Sequence, residues 1–269
     1  MTTKRGVSAI ARAFAAAQSA QRATLIPYIT LGYPTLERSL EIAEATIAGG
    51  ADILELGIPF SDPLADGPII QHATQEALDQ GATVAHCLEA AGTIRKRHPE
   101  IPLAFMGYLN PLLAYGEERF CAACQTCGVD GLIVPDLPPE EATEIEAHCR
   151  SRQLATIFLL APNTPEERMR CICSRSQGYI YLVSMTGTTG TRETLPKSLD
   201  DLVGRARAVT DKPIAVGFGI STPDHAAAVA RIADGVIVGS AIVRRCSEGA
   251  ACVEAFVRSL RNEMDYDIL

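Results

Sequence analysis

Several groups that would settle the chemistry at once are scarce in this sequence. It has four lysines, at 4, 96, 197 and 212, and five histidines, at 72, 86, 98, 148 and 225. None of the lysines falls where a strand is expected to end, which removes a Schiff-base aldolase. The histidines form no pair at helical spacing, which removes a metal-dependent one. No run of about 18 uninterrupted apolar residues occurs, and the opening MTTKRGVSAIARAFAAAQSAQRAT spreads arginines through its apolar positions instead of forming a clean signal core. A cytoplasmic protein, neither spanning nor bound to a membrane, is expected. Positive charge is in the minority, 24 Lys and Arg against 32 Asp and Glu for a net −8, which argues against general binding to nucleic acid while leaving room for a local phosphate pocket. Nine cysteines are an odd number without secretory context, so reduced thiols are expected. Cys121, Cys124 and Cys127 make a drifting stripe on a helix with no fourth ligand nearby; they read as small buried apolar residues, and no protein-bound metal is expected.

What is present is a regular alternation. Short apolar runs recur at 25–30 (LIPYIT), 52–57 (DILELG), 103–108 (LAFMGY), 131–136 (GLIVPD), 156–161 (TIFLLA), 179–184 (YIYLVS), 213–218 (PIAVGF) and 235–240 (GVIVGS). Strands without polar alternation are covered on both faces, as in parallel sheets. Amphipathic stretches such as LERSLEIAEATIAGG, PEEATEIEAHCRSRQ and SLDDLVGRARAVT lie between them. The pattern predicts an α/β fold: a (β/α)8 TIM barrel over residues 1–269 as a single domain with an extra N-terminal helix. A doubly wound open sheet is the structural rival. Asp52, Asp130 and Asp234 each directly precede a strand, at the end of a barrel where stability features collect, and read as turn formers.

The chemistry of such a barrel sits at the other end. In LELGIPFSDPLADGP (54–68), alternation sends Glu55 to the face opposite Leu54 and Leu56, into the barrel mouth. A carboxyl group there is desolvated, which raises its pKa and suits it to general acid/base work. A structural glutamate paired with an arginine is the alternative. The segments GFGIS (217–221) and GSAIV (239–243) follow the seventh and eighth strands, with Ser240 placed as an N-cap; backbone N–H groups there suit phosphate. MTGTTGTRETL (185–195) has the composition of a mobile lid. A buried acid and a phosphate grip without lysine or metal leave carbon chemistry driven by proton transfer.

LELGIPFSDPLADGP, with YLVSMTGTTG, GFGIS and GSAIV in the same order, closely resembles the tryptophan synthase alpha subunit family, over essentially the whole chain. The resemblance implies retro-aldol cleavage of indole-3-glycerol phosphate to indole and glyceraldehyde 3-phosphate, with the indole ring, protonated at C3, as the electron sink. It implies that Glu55 is the general acid/base, that Asp66 binds the indole N–H, and that Tyr181 stands beside the glutamate. Asp62 has no matching role and reads as a turn aspartate. Gly190, Gly219, Gly239 and Ser240 match phosphate contacts, Tyr28, Phe218 and Ile133 match the indole pocket, and Thr189 matches a lid residue meeting the Asp66 loop. Met185 stands where some relatives carry arginine, and Tyr28 where many carry phenylalanine. The implied partner is a beta subunit in an α2β2 assembly. Pyridoxal phosphate (PLP) would belong to that partner and no cofactor to this chain. Loops 59–71 and 108–116 lie at the expected end for the interface. The rivals are a free-standing lyase releasing indole, a catalytically silent scaffolding subunit, and a phosphosugar isomerase on the same barrel.

Overall fold

The computed structural model describes residues 5–184, 199–217 and 219–266. Nine parallel strands make one sheet: β1 (Thr24–Thr30), β2 (Leu54–Gly57), β3 (Leu103–Met106), β4 (Gly131–Ile133), β5 (Ala155–Ile157), β6 (Leu159–Leu160), β7 (Ile180–Val183), β8 (Ile214–Gly217) and β9 (Gly235–Val238). Their order is β5-β4-β3-β2-β1-β9-β8-β7-β6. The two outermost strands are separated in sequence by Phe158 alone, so the sheet curls until its edges meet and closes a barrel of eight strand positions. The open-sheet rival falls.

One strand differs from expectation. The run TIFLLA is broken at Phe158: β5 pairs with β4, β6 pairs with β7, and the Phe158 N–H leaves the ladder for Ser176 Oγ at 3.2 Å. The strand is therefore shared between two neighbours that diverge, and one residue turns the corner.

Helices fill the connections for local reasons. Thr35, Thr83 and Thr222 cap the helices Leu36–Ala48, Val84–Arg97 and Pro223–Ala230, each side chain accepting the backbone N–H three residues on. The helix expected from PEEA onward starts later, at Thr143, after a 3-10 turn over Pro139–Glu141. The N-terminal helix Val7–Ser19 closes the barrel floor. A Cβ on Gly131 or Gly178 would come within 3.1 Å of Ile10, and one on Gly235 within 3.2 Å of Phe14, so missing side chains on the strand ends make room for this helix.

The aspartates before β2, β4 and β9 do more than form turns. Asp52, Asp130 and Asp234 accept the N–H of Leu25, Leu103 and Ile214, at or beside the start of the neighbouring strand, at 2.9, 3.0 and 2.8 Å. Each also receives an arginine, Arg22 at 2.6 Å, Arg95 at 2.6 Å and Arg207 at 2.9 Å. Asp130 additionally takes the Gly6 N–H at 2.6 Å, tying the segment before the N-terminal helix to the floor. These are strand clamps. Among the described residues no helix is long and apolar enough to cross a membrane.

Candidate active site

The site is built on β2 and the loop that follows. Parallel register pairs Tyr28 of β1 with Glu55 and Glu55 with Ala104 of β3, so these three side chains share the barrel's inner face, while Leu54 and Leu56 turn to the helices. Glu55 is fully buried, and neither carboxylate oxygen has a hydrogen-bond partner among the described residues. Among the described residues no arginine pairs with it, which argues against the structural half of an ion pair. Burial pushes its carboxyl up to about 8, with the charge of Asp66 adding to the rise.

Asp66 lies at the end of the proline-rich loop, one residue before Gly67, which caps the helix Pro68–Asp79. Its N–H bonds Pro63 O at 3.0 Å and its carbonyl accepts from Gln71 Nε2 at 2.8 Å. The Tyr108 hydroxyl donates to Asp66 Oδ2 at 3.0 Å and accepts the Ala65 N–H at 3.0 Å. Burial raises the Asp66 carboxyl to about 6, and the Tyr108 hydrogen bond opposes that rise. At neutral pH the two carboxyls therefore differ: Glu55 is mostly protonated and Asp66 mostly ionised. Asp62, in the same loop, is exposed and accepts the hydroxyl proton of Ser61.

Three phenols complete the interior around Glu55. Burial, and then the charge of Glu55, raise the pKa of Tyr179 and of Tyr181, holding both neutral; for Tyr28 burial comes first and Asp66 next. Glycines admit two of them. A Cβ on Gly57 would stand 2.1 Å from the Tyr28 hydroxyl oxygen, and one on Gly217 would stand 2.7 Å from that of Tyr181.

The sequence and the fold both have counterparts among known proteins. The model of the family described as tryptophan synthase alpha chain matches residues 14–266. The chain is 48% identical to the tryptophan synthase alpha chain of Chloroflexus aggregans over 93% of its own length and 96% of the relative's. It is 46% identical to that of Dehalococcoides mccartyi, over 91% and 96%. Among solved structures, tryptophan synthase of Mycobacterium tuberculosis superposes with a TM-score of 0.90 at 37% identity, covering 95% of this chain and 97% of the other. Tryptophan synthase subunit alpha of Legionella pneumophila does so with a TM-score of 0.90 at 35% identity, covering 98% and 100%. The chain belongs to the tryptophan synthase alpha chain family.

The glycine-bearing strand ends lie close to β2 in the sheet order. The order β2-β1-β9-β8 puts one strand, β1 with Tyr28, between Glu55 and Gly239. Gly219, just beyond β8, has a φ of +79°, a conformation other residues adopt at a cost. Gly239 is the residue that caps the helix Ser240–Cys246, so Ser240 is not the N-cap expected from sequence but the first helical residue. A side chain at 239 would lie 3.6 Å from the Tyr28 ring. Ile133, the last residue of β4, is buried on the same inner face as Met106. Met185, Thr189, Gly190 and Phe218 lie outside the described residues.

Two side chains were missed by sequence reasoning. Tyr108 ends the run LAFMGY and is joined to Asp66 across 42 positions, which no spacing rule connects. Tyr179 was within reach, because the alternation that sends Tyr181 inward sends Tyr179 there too. Among the described residues no group of three His, Cys, Asp or Glu is placed to hold a metal. The cysteine stripe packs instead: Cys121 and Cys124 are buried, and Cys121 Sγ lies 3.8 Å from Cys149 Sγ.

Proposed function

We propose that the chain cleaves indole-3-glycerol phosphate to indole and glyceraldehyde 3-phosphate, with Glu55 as the acid/base and Asp66 as the carboxylate that holds the indole N–H. The observation that carries this reading is a pair of buried carboxyls in different surroundings, Glu55 without a hydrogen-bond partner among the described residues and Asp66 held by the Tyr108 hydroxyl, which sets their proton affinities apart. Protonated Glu55 delivers its proton to C3 of the indole, which turns the ring into an iminium ion. Ionised Asp66, fixed by Tyr108, accepts the ring N–H and stabilises that positive charge. Glu55, now a carboxylate, removes the proton of the glycerol hydroxyl, the carbon–carbon bond breaks into the iminium, and the aldehyde and indole form. The proton lent to C3 is recovered from the hydroxyl, so the enzyme ends as it began.

Gly219, Gly239 and Ser240 supply backbone N–H groups for the phosphate, with Gly190 assigned as a further phosphate contact and Thr189 to the lid. Ile133, Tyr28 and Phe218 form the wall against the ring, and Tyr181 stands beside Glu55. On this reading indole passes to a beta subunit in an α2β2 assembly, PLP belongs to that subunit, and this chain needs no cofactor of its own. Exposed apolar side chains suit such docking: Leu64, 85% exposed, lies in the loop after β2, and Leu113, 50% exposed, lies in the segment 108–116 expected to be a loop, which is instead mostly the helix Leu109–Tyr115.

The deciding experiment is indole release from indole-3-glycerol phosphate with and without beta subunit, for the native chain and Glu55→Gln. The variant is expected to bind ligand and to lose at least about 10²-fold in turnover, the worth of a positioned acid/base. Undiminished turnover in the variant, or no release even with the beta subunit, overturns the assignment. Strong release that the beta subunit does not stimulate would instead favour a free-standing lyase.

A further inference from the structure

Glu55 is a carboxyl group that must lose and regain a proton, yet its oxygens touch no donor among the described residues. Ionised in that state it would be a bare charge inside the barrel, which makes it costly for the group to release the proton it must deliver. A nearby donor that engages only the charged form would remove the difficulty.

Tyr28 meets the geometric requirements. It pairs with Glu55 across the β1–β2 ladder, on the same inner face. Its hydroxyl occupies the space left by the absent side chain of Gly57, where a Cβ would be 2.1 Å away. Gly57 is two residues beyond Glu55 on the same strand, one step of about 6.6 Å up the same face, within the reach of a glutamate side chain. The hydroxyl thus stands at the next inward-facing position beyond Glu55 on β2. Thr30 donates to the phenol oxygen at 3.4 Å, which leaves the phenolic proton uncommitted. Burial and the charge of Asp66 keep that phenol protonated, with the Thr30 bond opposing and Glu55 and Tyr108 adding smaller contributions.

The other groups facing Glu55 are Asp66 from the loop after β2 and Tyr179 and Tyr181 from the segment of β7; its neighbours on β3 and β4 are Ala104 and Gly131, which do not titrate. Asp66 is an acceptor. Tyr179 is lower in the barrel, its ring centroid 5.5 Å from that of Phe14 of the floor helix. Tyr181 has its hydroxyl against Gly217 of β8, on a strand that does not adjoin β2.

We propose that Tyr28 is a positioning residue for Glu55, its hydroxyl donating to the carboxylate whenever that group is ionised and so easing the release of the proton that Glu55 must deliver. The catalytic meaning rests on the acid/base role given to Glu55 above; the contact itself does not. Phenylalanine at this position keeps the ring and lacks the donor, so that exchange isolates the hydroxyl.

The test is Tyr28→Phe, which removes one oxygen and relieves the close approach to Gly57, so the fold is retained and can be checked by circular dichroism. The carboxyl of Glu55, assigned by its disappearance in Glu55→Gln, is titrated by infrared difference spectroscopy without substrate. Its midpoint is expected to move up by about half to one pH unit, the consequence of losing a donor to the charged form. In steady state, kcat should fall with KM little changed, and the alkaline limb of the pH profile should move up with the carboxyl. A midpoint that stays put or moves down overturns the proposal. A shifted midpoint in a chain that does not cleave indole-3-glycerol phosphate leaves this contact standing and removes the proposed function instead.

Discussion

The Tyr108 hydroxyl holds the Asp66 loop at two points, giving its proton to Asp66 Oδ2 and taking one from the Ala65 N–H, both at 3.0 Å. A single phenol thereby fixes where a carboxylate stands and how readily it ionises. In Tyr108→Phe the opposition to burial is gone and the Asp66 carboxyl rises above its present value of about 6. Less of it is ionised near neutrality, so the acid limb of the kcat/KM profile should move to higher pH. At pH 7 kcat/KM should fall by about 10-fold or more, the worth of one hydrogen bond to a charged group. Steady-state kinetics from pH 5 to 8 measure both, and an unmoved acid limb contradicts the role given to Tyr108.

Glu55 makes the fold less stable as pH rises. Its folded-state pKa is raised, from 4.5 to about 8, so between those values the folded chain binds more protons than the unfolded one. Stability from this group is then highest below the unfolded value and is lost as pH rises toward the folded one. Glu55→Gln removes that dependence. The variant should be more resistant to urea than the native chain at pH 8 and should lose most of that advantage at pH 5. Equal midpoints for the two proteins at pH 8 would sink the claim that the buried carboxyl is strained.

Gly217 and Tyr181 should behave as one unit. A methyl at 217 meets the Tyr181 hydroxyl at 2.7 Å and the ring at 2.8 Å, so Gly217→Ala displaces the phenol from its place beside Glu55. Activity should drop in Gly217→Ala and in Tyr181→Phe, and the double variant should lose less than the two losses combined, because the second change removes something already displaced. Purely additive losses in a double-mutant cycle would show that the two positions act separately.

Asp130 should carry a large share of the stability of the floor. Fully buried, it accepts from Gly6 N–H, Leu103 N–H and the Arg95 guanidinium. Asp130→Asn strands a mostly buried guanidinium and loses an acceptor, a change expected to cost about 3–5 kcal/mol. Chemical denaturation should register it as a lower midpoint, with the response to denaturant otherwise unchanged.

How much of this was readable in advance depends on the distance over which each feature is decided. The inward direction of Glu55 follows from strand alternation, and the barrel follows from repeated apolar runs separated by helical stretches; both are set by residues within a few positions of each other. The partners are not. Tyr108 finds Asp66, and Arg95 finds Asp130, across 42 and 35 positions, because adjacent strands bring loops together at the barrel ends. The aspartates before the strands were visible as an echo in the sequence, but their arginines share no common offset. The break at Phe158 arises where one strand must serve two diverging neighbours, a demand of closure that no local pattern records. The Ser240 cap failed for a small reason: the chain enters the helix one residue early, at a glycine that needs no capping hydroxyl.

The clamp at Asp52 joins distant moments of synthesis. Its carboxylate is gripped first by Arg22, just ahead of β1, and then by Arg261 from the helix Ala250–Tyr266, at 3.1 Å and across 209 positions. A nascent chain can lay down its opening strands early, but the last guanidinium that secures them emerges only after most of the polypeptide has left the ribosome. The contact between Asp52 and Arg261 can form only once those two distant parts of the chain have met, which makes this clamp one of the most non-local ties in the barrel.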